Sequence, residues 1–446
     1  MNIAFMTEYF SPFVIGGAEL SAYALARELT GRGHSVTVVT PNYGAREYEE
    51  IGGIRIYRIA FPQKLKPGDQ ARSFFMHSVF MQLYFARCLV RICRRHKIEV
   101  IHAQHTNAII PAFVAAAFTR CRSVVTLRDF HSITAGSVLW LNRRSGEENI
   151  QAAGGYFRSA FRFQKFFNPD QNGFARLKAW CDIIYRWPDL RLRQFCLRRF
   201  DTVIGVSENL RALYFENGFA CLKGRFRVLY NIPPDCSRVP YNPEGIKRKY
   251  VIPEDARVVL WAGRRTPAKG FDVFLRGIPL VRDRLSDVCF VVAGRGLACD
   301  ESLQSISAIR DLGVLPNQEI LKLMTISDVV VVPSQWDEPL SRTMIEALSM
   351  GRPVIGTSAG GTPELISDGE NGFLIRPGDA GDLAEKIALI ISDRELQKRL
   401  SLRAIESIRR ICSPERITDE VLAVYRGDQV VQRSQPETAS SYIGRL

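Results

Sequence analysis

Short runs of uninterrupted apolar residues recur along the chain. Each is followed by a turn, then by a stretch whose apolar positions return every three or four residues. NIAFMT (residues 2–7) is the first such run; a helix over 18–30 follows, and Gly31 and Gly33 close it before HSVTVVT (34–40). The same alternation resumes at RVVLWAG (257–263), VCFVVAG (288–294), DVVVVPS (328–334) and PVIGT (353–357). Strands that are apolar throughout need cover on both faces, which parallel sheets wrapped by helices provide. The pattern predicts an α/β chain of two Rossmann-like, doubly wound domains. Residues 231–255 carry Pro233, Pro234, Pro240, Pro243 and Pro253 and read as a linker. The expected division is a domain over 1–230, the linker 231–255, a second domain over 256–412, and a helix with a polar tail over 413–446.

Composition narrows the class. The 446 residues are 46% hydrophobic and 24% charged, which excludes a wholly disordered, collagen-like or disulfide-scaffold chain. No apolar run approaches the ~18 residues of a membrane span; the longest lies near 109–118. The N-terminus lacks the basic-then-apolar layout of a signal peptide. Ten cysteines are scattered with no Cys-x-x-Cys pair, so reduced thiols in a cytoplasmic protein are expected.

The charge is uneven. Residues 1–230 hold 32 Lys and Arg against 17 Asp and Glu, a net of +15, whereas the rest of the chain is at −1. A field of that sign draws anionic partners: nucleic acid, an anionic membrane face or a phosphorylated substrate. Residues 55–97 hold ten basic side chains and one acid, Asp69, with Phe74, Phe75, Val79, Met81, Leu83, Phe85 and Leu89 among them. Residues 140–200 hold 13 aromatics, with 12 basic against 5 acidic residues. Such stretches suit a membrane-surface helix or a core-packing helix with solvated charges, and both readings stay open.

The densest chemistry lies in WDEPLSRTMIEAL (336–348), which follows a buried strand. Glu338 and Glu346 stand eight apart, and the backbone amides of Leu340, Ser341, Arg342 and Thr343 open a helix, a ready anion site. In an open α/β sheet the ligand sits beyond the carboxyl ends of the strands. GRRTPAKG (263–270) occupies another strand end, where Arg264 and Lys269 could hold a diphosphate. Gly360 and Gly361 add a close backbone approach at the same rim.

Taken together these segments resemble the GT-B glycosyltransferases of glycosyltransferase family 4. The resemblance runs from GGAE (16–19) through VIGVSENL (203–210), GRRTPAKG and VVAGRG to EPLSRTMIEAL, GRPVIGTSAGGTPELI and NGFLIRPGD. It implies two domains facing a central cleft and retaining transfer of a sugar from a UDP- or GDP-sugar to a glycan or lipid-linked acceptor. The nucleotide sugar is substrate, and no cofactor is expected. By the same resemblance Arg264 and Lys269 match a diphosphate clamp, Glu338 the carboxylate near the transferred sugar, and Glu346 the one on the ribose. Gly16 and Gly17 match a glycine loop over the phosphates. TLRDFH (126–131) stands where family members often have Thr-Leu-His-Asp-Tyr-Trp, placing Arg128 and Asp129 among the expected catalytic residues with an arginine in the histidine's place. The chain has no Asp-x-Asp, so no metal is expected at the donor site. His102 and His105 have metal-like spacing without a visible third ligand, and read as acceptor-side or satisfied strand-end residues.

Rival classes lack their signatures. No Gly-x-Gly-x-x-Gly follows the first strand, against a dinucleotide oxidoreductase. A pI near 9.4 suits nucleic acid, yet no helix-turn-helix, zinc-finger or RNA-binding motif accompanies it, so no nucleic-acid partner is expected. The alternative is a GT-B relative that is not a transferase: a nucleotide-sugar epimerase or a degenerate binding protein. An anionic membrane surface on the cytoplasmic side is the further expected partner.

Overall fold

The computed structural model describes residues 1–134, 153–167, 173–296 and 308–428. The chain forms two compact units, one of residues 1–232 joined by the helix Pro414–Arg426, the other of residues 233–413.

In the first unit, β1 (Asn2–Met6), β2 (Ser35–Asn42), β3 (Tyr48–Ile51), β4 (Ile54–Ala60), β5 (Val100–Ala103), β6 (Arg122–Leu127), β7 (Thr202–Gly205) and β8 (Phe226–Val228) make one sheet among the described residues. Its order is β3-β4-β2-β1-β5-β6-β7-β8. Only β3 runs antiparallel to its neighbour; the remaining pairs are parallel. In the second unit, β9 (Arg257–Ala262), β10 (Val288–Ala293), β11 (Ile309–Asp311), β12 (Val329–Val332), β13 (Val354–Thr357) and β14 (Gly372–Ile375) are all parallel, in the order β11-β10-β9-β12-β13-β14. The runs expected to be strands are buried because they are covered twice: Val329–Val332 is fully inside, and Val259, Trp261, Phe274, Phe290, Val331 and Ile355 form one core with Leu383, Ile387 and Leu400 from the covering helices.

Each sheet reverses its winding once, at β1/β5 and at β9/β12. A doubly wound sheet opens a crevice there, at the carboxyl ends of the strands. The helices that follow these ends start cleanly. The Glu19 carboxylate returns to the Gly16 N–H at 2.8 Å to cap the helix Gly17–Gly31. The Ser341 hydroxyl accepts from the Met344 N–H at 3.4 Å to cap the helix Arg342–Ser349.

Four stretches named from the sequence take the following forms. Residues 231–255 are no bare connector. Pro243 opens the helix Pro243–Lys249, a position where its missing N–H costs nothing, and Lys249 and Tyr250 both bond Glu319 of the second unit at 2.6 Å. The helix Pro414–Arg426 joins the first unit: it packs on Gly17–Gly31, and Arg32 pairs with Asp419 and donates to the Glu415 carbonyl at 2.8 Å. In residues 72–97 the helix Val79–His96 has Phe85 and Leu89 in the core, while Phe80 and Leu83 are exposed. Within 140–200, the helices Ala153–Phe167 and Gly173–Leu197 share a small core of Tyr156, Ala160, Ile183 and Leu190; residues 140–152 and 168–172 lie outside the described residues, as does the polar tail from 429.

His102 ties the returning helix to the sheet. Its ring is fully buried in β5, with Nδ1 2.6 Å from the Tyr425 hydroxyl and Nε2 2.7 Å from the Thr126 hydroxyl. Burial, helped by the Arg128 charge, holds this imidazole well below its ordinary pKa. The unfolded chain therefore takes a proton below about pH 6.5 that the folded chain refuses. Stability from this group is complete above that pH and declines as pH falls further. Tyr425→Phe should lower the unfolding free energy by about 1–3 kcal/mol in urea titration, since it strands a buried ring nitrogen. An unchanged midpoint would remove the Tyr425 hydroxyl from the stabilising contacts.

Candidate functional site

The second unit's switch point brings together the loops after β9 and β12. Lys269 sits at the end of the first loop and Glu338 in the second. Lys269 Nζ lies 2.5 Å from Glu338 Oε1 and 2.6 Å from Oε2. Glu338 Oε2 also accepts from the Trp336 indole N–H at 2.9 Å and the Ser334 hydroxyl at 3.0 Å. The ammonium group stands 5.3 Å from the centre of the Trp336 ring. Burial alone would raise the Glu338 pKa; the Lys269 charge and the three donors outweigh it and hold the carboxyl below its ordinary value. Burial draws the Lys269 pKa down, and the nearby Arg264 charge adds to this against the pull of Glu338.

Two glycines set this geometry. Gly270 adopts φ +67°, and a Cβ there would lie 1.7 Å from the Pro333 carbonyl oxygen. Gly360, at φ +60°, presses on the backbone of Glu338, where a Cβ would meet the nitrogen at 2.4 Å. The Gly361 N–H then donates to the Glu338 carbonyl at 2.8 Å. The loop bearing Glu338 is thus pinned by its side chain on one side and by the Gly360–Gly361 turn on the other.

Glu346 lies within the helix Arg342–Ser349 and is buried. Its Oε1 accepts from Arg342 Nε and from Asn317 Nδ2, both at 3.0 Å, which fixes the plane of the carboxylate. Leu340 and Ser341 are buried at the helix entry. The adjacent arginines of the β9 loop part ways. Arg265 is buried against Asp311, with one contact of 2.8 Å, whereas Arg264 is exposed at the rim.

The remaining expected residues belong to the first unit. Gly16 is the extended residue before the helix Gly17–Gly31, and Gly17 is that helix's first residue. Arg128 follows β6 and is anchored by the Gln104 carbonyl at 2.7 Å, the Gln104 side chain at 3.1 Å and Asn231 at 3.3 Å. Asp129 Oδ1 accepts from the Thr106 hydroxyl at 2.7 Å and the His131 N–H at 2.8 Å, so its carboxylate organises the turn after β6. His105 lies at the end of β5, 2.7 Å from the Thr7 hydroxyl and 3.3 Å from Glu19. The two histidines therefore have separate partners.

Sequence reasoning missed Ser334, Trp336 and Asn317. Ser334 and Trp336 carried a usable signal, since both fall within four residues of Glu338 after a buried strand. Asn317 carried none, being 29 residues from Glu346.

The model described as "Glycosyl transferases group 1" matches residues 243–407, and that described as "Glycosyltransferase Family 4" matches residues 15–232. An uncharacterized glycosyltransferase of Methanocaldococcus jannaschii is 25% identical over 96% of this chain and 98% of its own. The Anabaena protein HepE in complex with UDP and glucose has a TM-score of 0.66 at 20% identity, covering 95% of this chain and 99% of its own. A sucrose-phosphate synthase from Thermosynechococcus elongatus has a TM-score of 0.68 at 18% identity, covering 95% and 98%.

The ion pair gives a thermodynamic test. Lys269→Met should destabilise the chain by about 3 kcal/mol, because it leaves Glu338 buried without its counter-charge. Adding Glu338→Gln should restore part of that loss in a double-mutant cycle read by urea unfolding. Strictly additive losses would show that the pair is not coupled.

Proposed function

The chain belongs to glycosyltransferase family 4 and has its two-domain GT-B fold, and on that premise we propose that it is a retaining, metal-independent transferase moving a hexosyl group from a UDP- or GDP-sugar to a glycan or lipid-linked acceptor. The observation that carries this reading is the Lys269–Glu338 pair beside the capped helix Arg342–Ser349 at a switch point. HepE, of like fold, is complexed with UDP and glucose, which supports a nucleotide donor here.

Breaking the anomeric C–O bond develops positive charge on the sugar and negative charge on the leaving diphosphate. An ammonium has three donors, and two of those on Lys269 engage Glu338, which leaves one for a phosphate oxygen. Arg264 supplies a second cation, and the amides of Leu340, Ser341 and Arg342 supply the helix N-terminus. Glu338, kept ionised, opposes the positive charge growing at the sugar. Glu346, its plane fixed, accepts from ribose hydroxyls. Gly361 allows close backbone approach, and the loop of Gly16 and Gly17 lies over the phosphates, with the Gly16 N–H held by Glu19 and the Gly17 amide turned to them. Arg128, in the place of a histidine that would touch the sugar or its phosphate, and Asp129 complete the catalytic residues, and the chain works in the cytoplasm at the membrane's inner face.

Arg264→Ala should weaken nucleoside diphosphate binding by roughly ten- to a hundredfold in calorimetry, the worth of a charge-assisted hydrogen bond, without disturbing the fold. Glu338→Gln should instead reduce turnover, read as UDP or GDP release from a donor panel, with affinity nearly kept. Wild-type affinity in the first variant, or wild-type release in the second, would remove that residue from its assigned role. Binding of donor without any release across the panel would favour the non-transferring relative.

A further inference from the structure

The helix Val79–His96 has two unlike faces. Gln82, Phe85, Ala86, Leu89 and Cys93 are buried. Phe80, Leu83, Tyr84, Arg87, Arg91 and Arg95 are exposed and recur at helical spacing, so they form one stripe along the opposite side. The stripe is apolar in its first half, where Phe80 is 86% exposed, and basic in its second. The helix sequence VFMQLYFARCLVRICRRH contains no acid.

A groove of about 300 Å³ lies beside this stripe, lined by Tyr57 and Arg58 of β4 and by Tyr84, Cys88, Arg91 and Arg95 of the helix. Its cations are Arg91 and Arg95; the Arg58 side chain leaves β4 on the face opposite Tyr57, which bonds His96 of the helix. Arg58 is buried, donates to the Ser11 carbonyl at 2.6 Å and the Arg46 carbonyl at 2.9 Å, and pairs with Glu49, while its Nε has no acceptor among the described residues. Glu49 is thereby occupied, and Glu47 is the acid whose field reaches Tyr84. Two tyrosine rings beside exposed guanidinium groups one helical turn apart suit a phosphate ester.

We propose that this groove takes the phosphate of an anionic lipid headgroup while Phe80 and Leu83 enter the apolar boundary of the bilayer, making the stripe the surface by which the first unit docks on a membrane. A soluble phosphate compound would engage Arg91 and Arg95 but would leave Phe80 and Leu83 in water. A bilayer interface uses both halves of the stripe, cations on headgroups and apolar side chains below them. The helix Gly173–Leu197 of the same unit also exposes Leu177 and Ile184, and its Tyr185 stacks at 5.1 Å on Phe74, which is 60% exposed. Among the described residues no helix is long and apolar enough to cross a membrane. Docking of this kind needs neither donor nor acceptor, so it stands or falls apart from the transfer reaction.

The test is co-sedimentation of the full chain with vesicles of phosphatidylglycerol in phosphatidylcholine, against vesicles of phosphatidylcholine alone. The chain should pellet with the first, weakly with the second, and be released as salt rises. Arg91→Ala with Arg95→Ala should weaken vesicle binding roughly thirtyfold. Phe80→Ser with Leu83→Ser should also abolish pelleting while leaving any heat protection by glycerol 3-phosphate intact. All four side chains are exposed, and matching thermal melts confirm that each variant is folded. Pelleting of either variant like the wild type overturns the proposal. So does equal behaviour of the wild type on both vesicles. Protection by glycerol 3-phosphate without any vesicle binding assigns the groove to a soluble phosphate compound instead.

Discussion

The second unit depends on one ion pair, a buried carboxylate held by a half-buried ammonium. Lys269 and Glu338 come from the loops after two neighbouring strands, and their side chains close within 2.6 Å at the point where the sheet reverses. Burying either charge alone would be costly; together, with the Trp336 and Ser334 donors, they are satisfied. Much else follows from holding that pair. Gly270 must be without a Cβ for its loop to reach the Pro333 backbone, and Gly360 must be so for its turn to lie on Glu338. The helix carrying Glu346 starts four residues after Glu338, so the placement of the second carboxylate depends on that of the first.

The same pair suits the proposed transfer. A carboxylate held ionised and a cation held beside it would oppose the two charges that separate when a glycosyl–phosphate bond breaks. Because the groups are already fixed, little reorganisation is needed as charge develops. Arg342 and Asn317 do for Glu346 what Lys269, Trp336 and Ser334 do for Glu338: they fix a carboxylate before any ligand arrives.

Much of this was legible in the sequence because strands buried on both faces leave continuous apolar runs, and the loops after them are easily found. VVVVPS followed by Glu338 and a helix, and RVVLWAG followed by Arg264 and Lys269, mark two strand ends that carry the candidate site. What stayed hidden depends on contacts distant along the chain. Nothing in RRTPAK says that Arg265 turns inward to Asp311 while Arg264 stays out. Nothing local pairs Asn317 with Glu346, or Tyr425 with His102 across 323 residues. The proline-rich segment 231–255 read as a linker because prolines punctuate helices, yet one of them starts a helix. The basic, aromatic segment 72–97 gave two readings because one helix carries both a core face and an exposed stripe.

Amide hydrogen exchange of the full chain with UDP and with GDP tests the central assignment most directly. If the nucleotide sits where the Lys269–Glu338 pair and the Arg342–Ser349 helix meet, one of the two should slow exchange in residues 263–271 and 336–346 together. Protection confined to other segments, or no change in both loops with either nucleotide, would contradict the account.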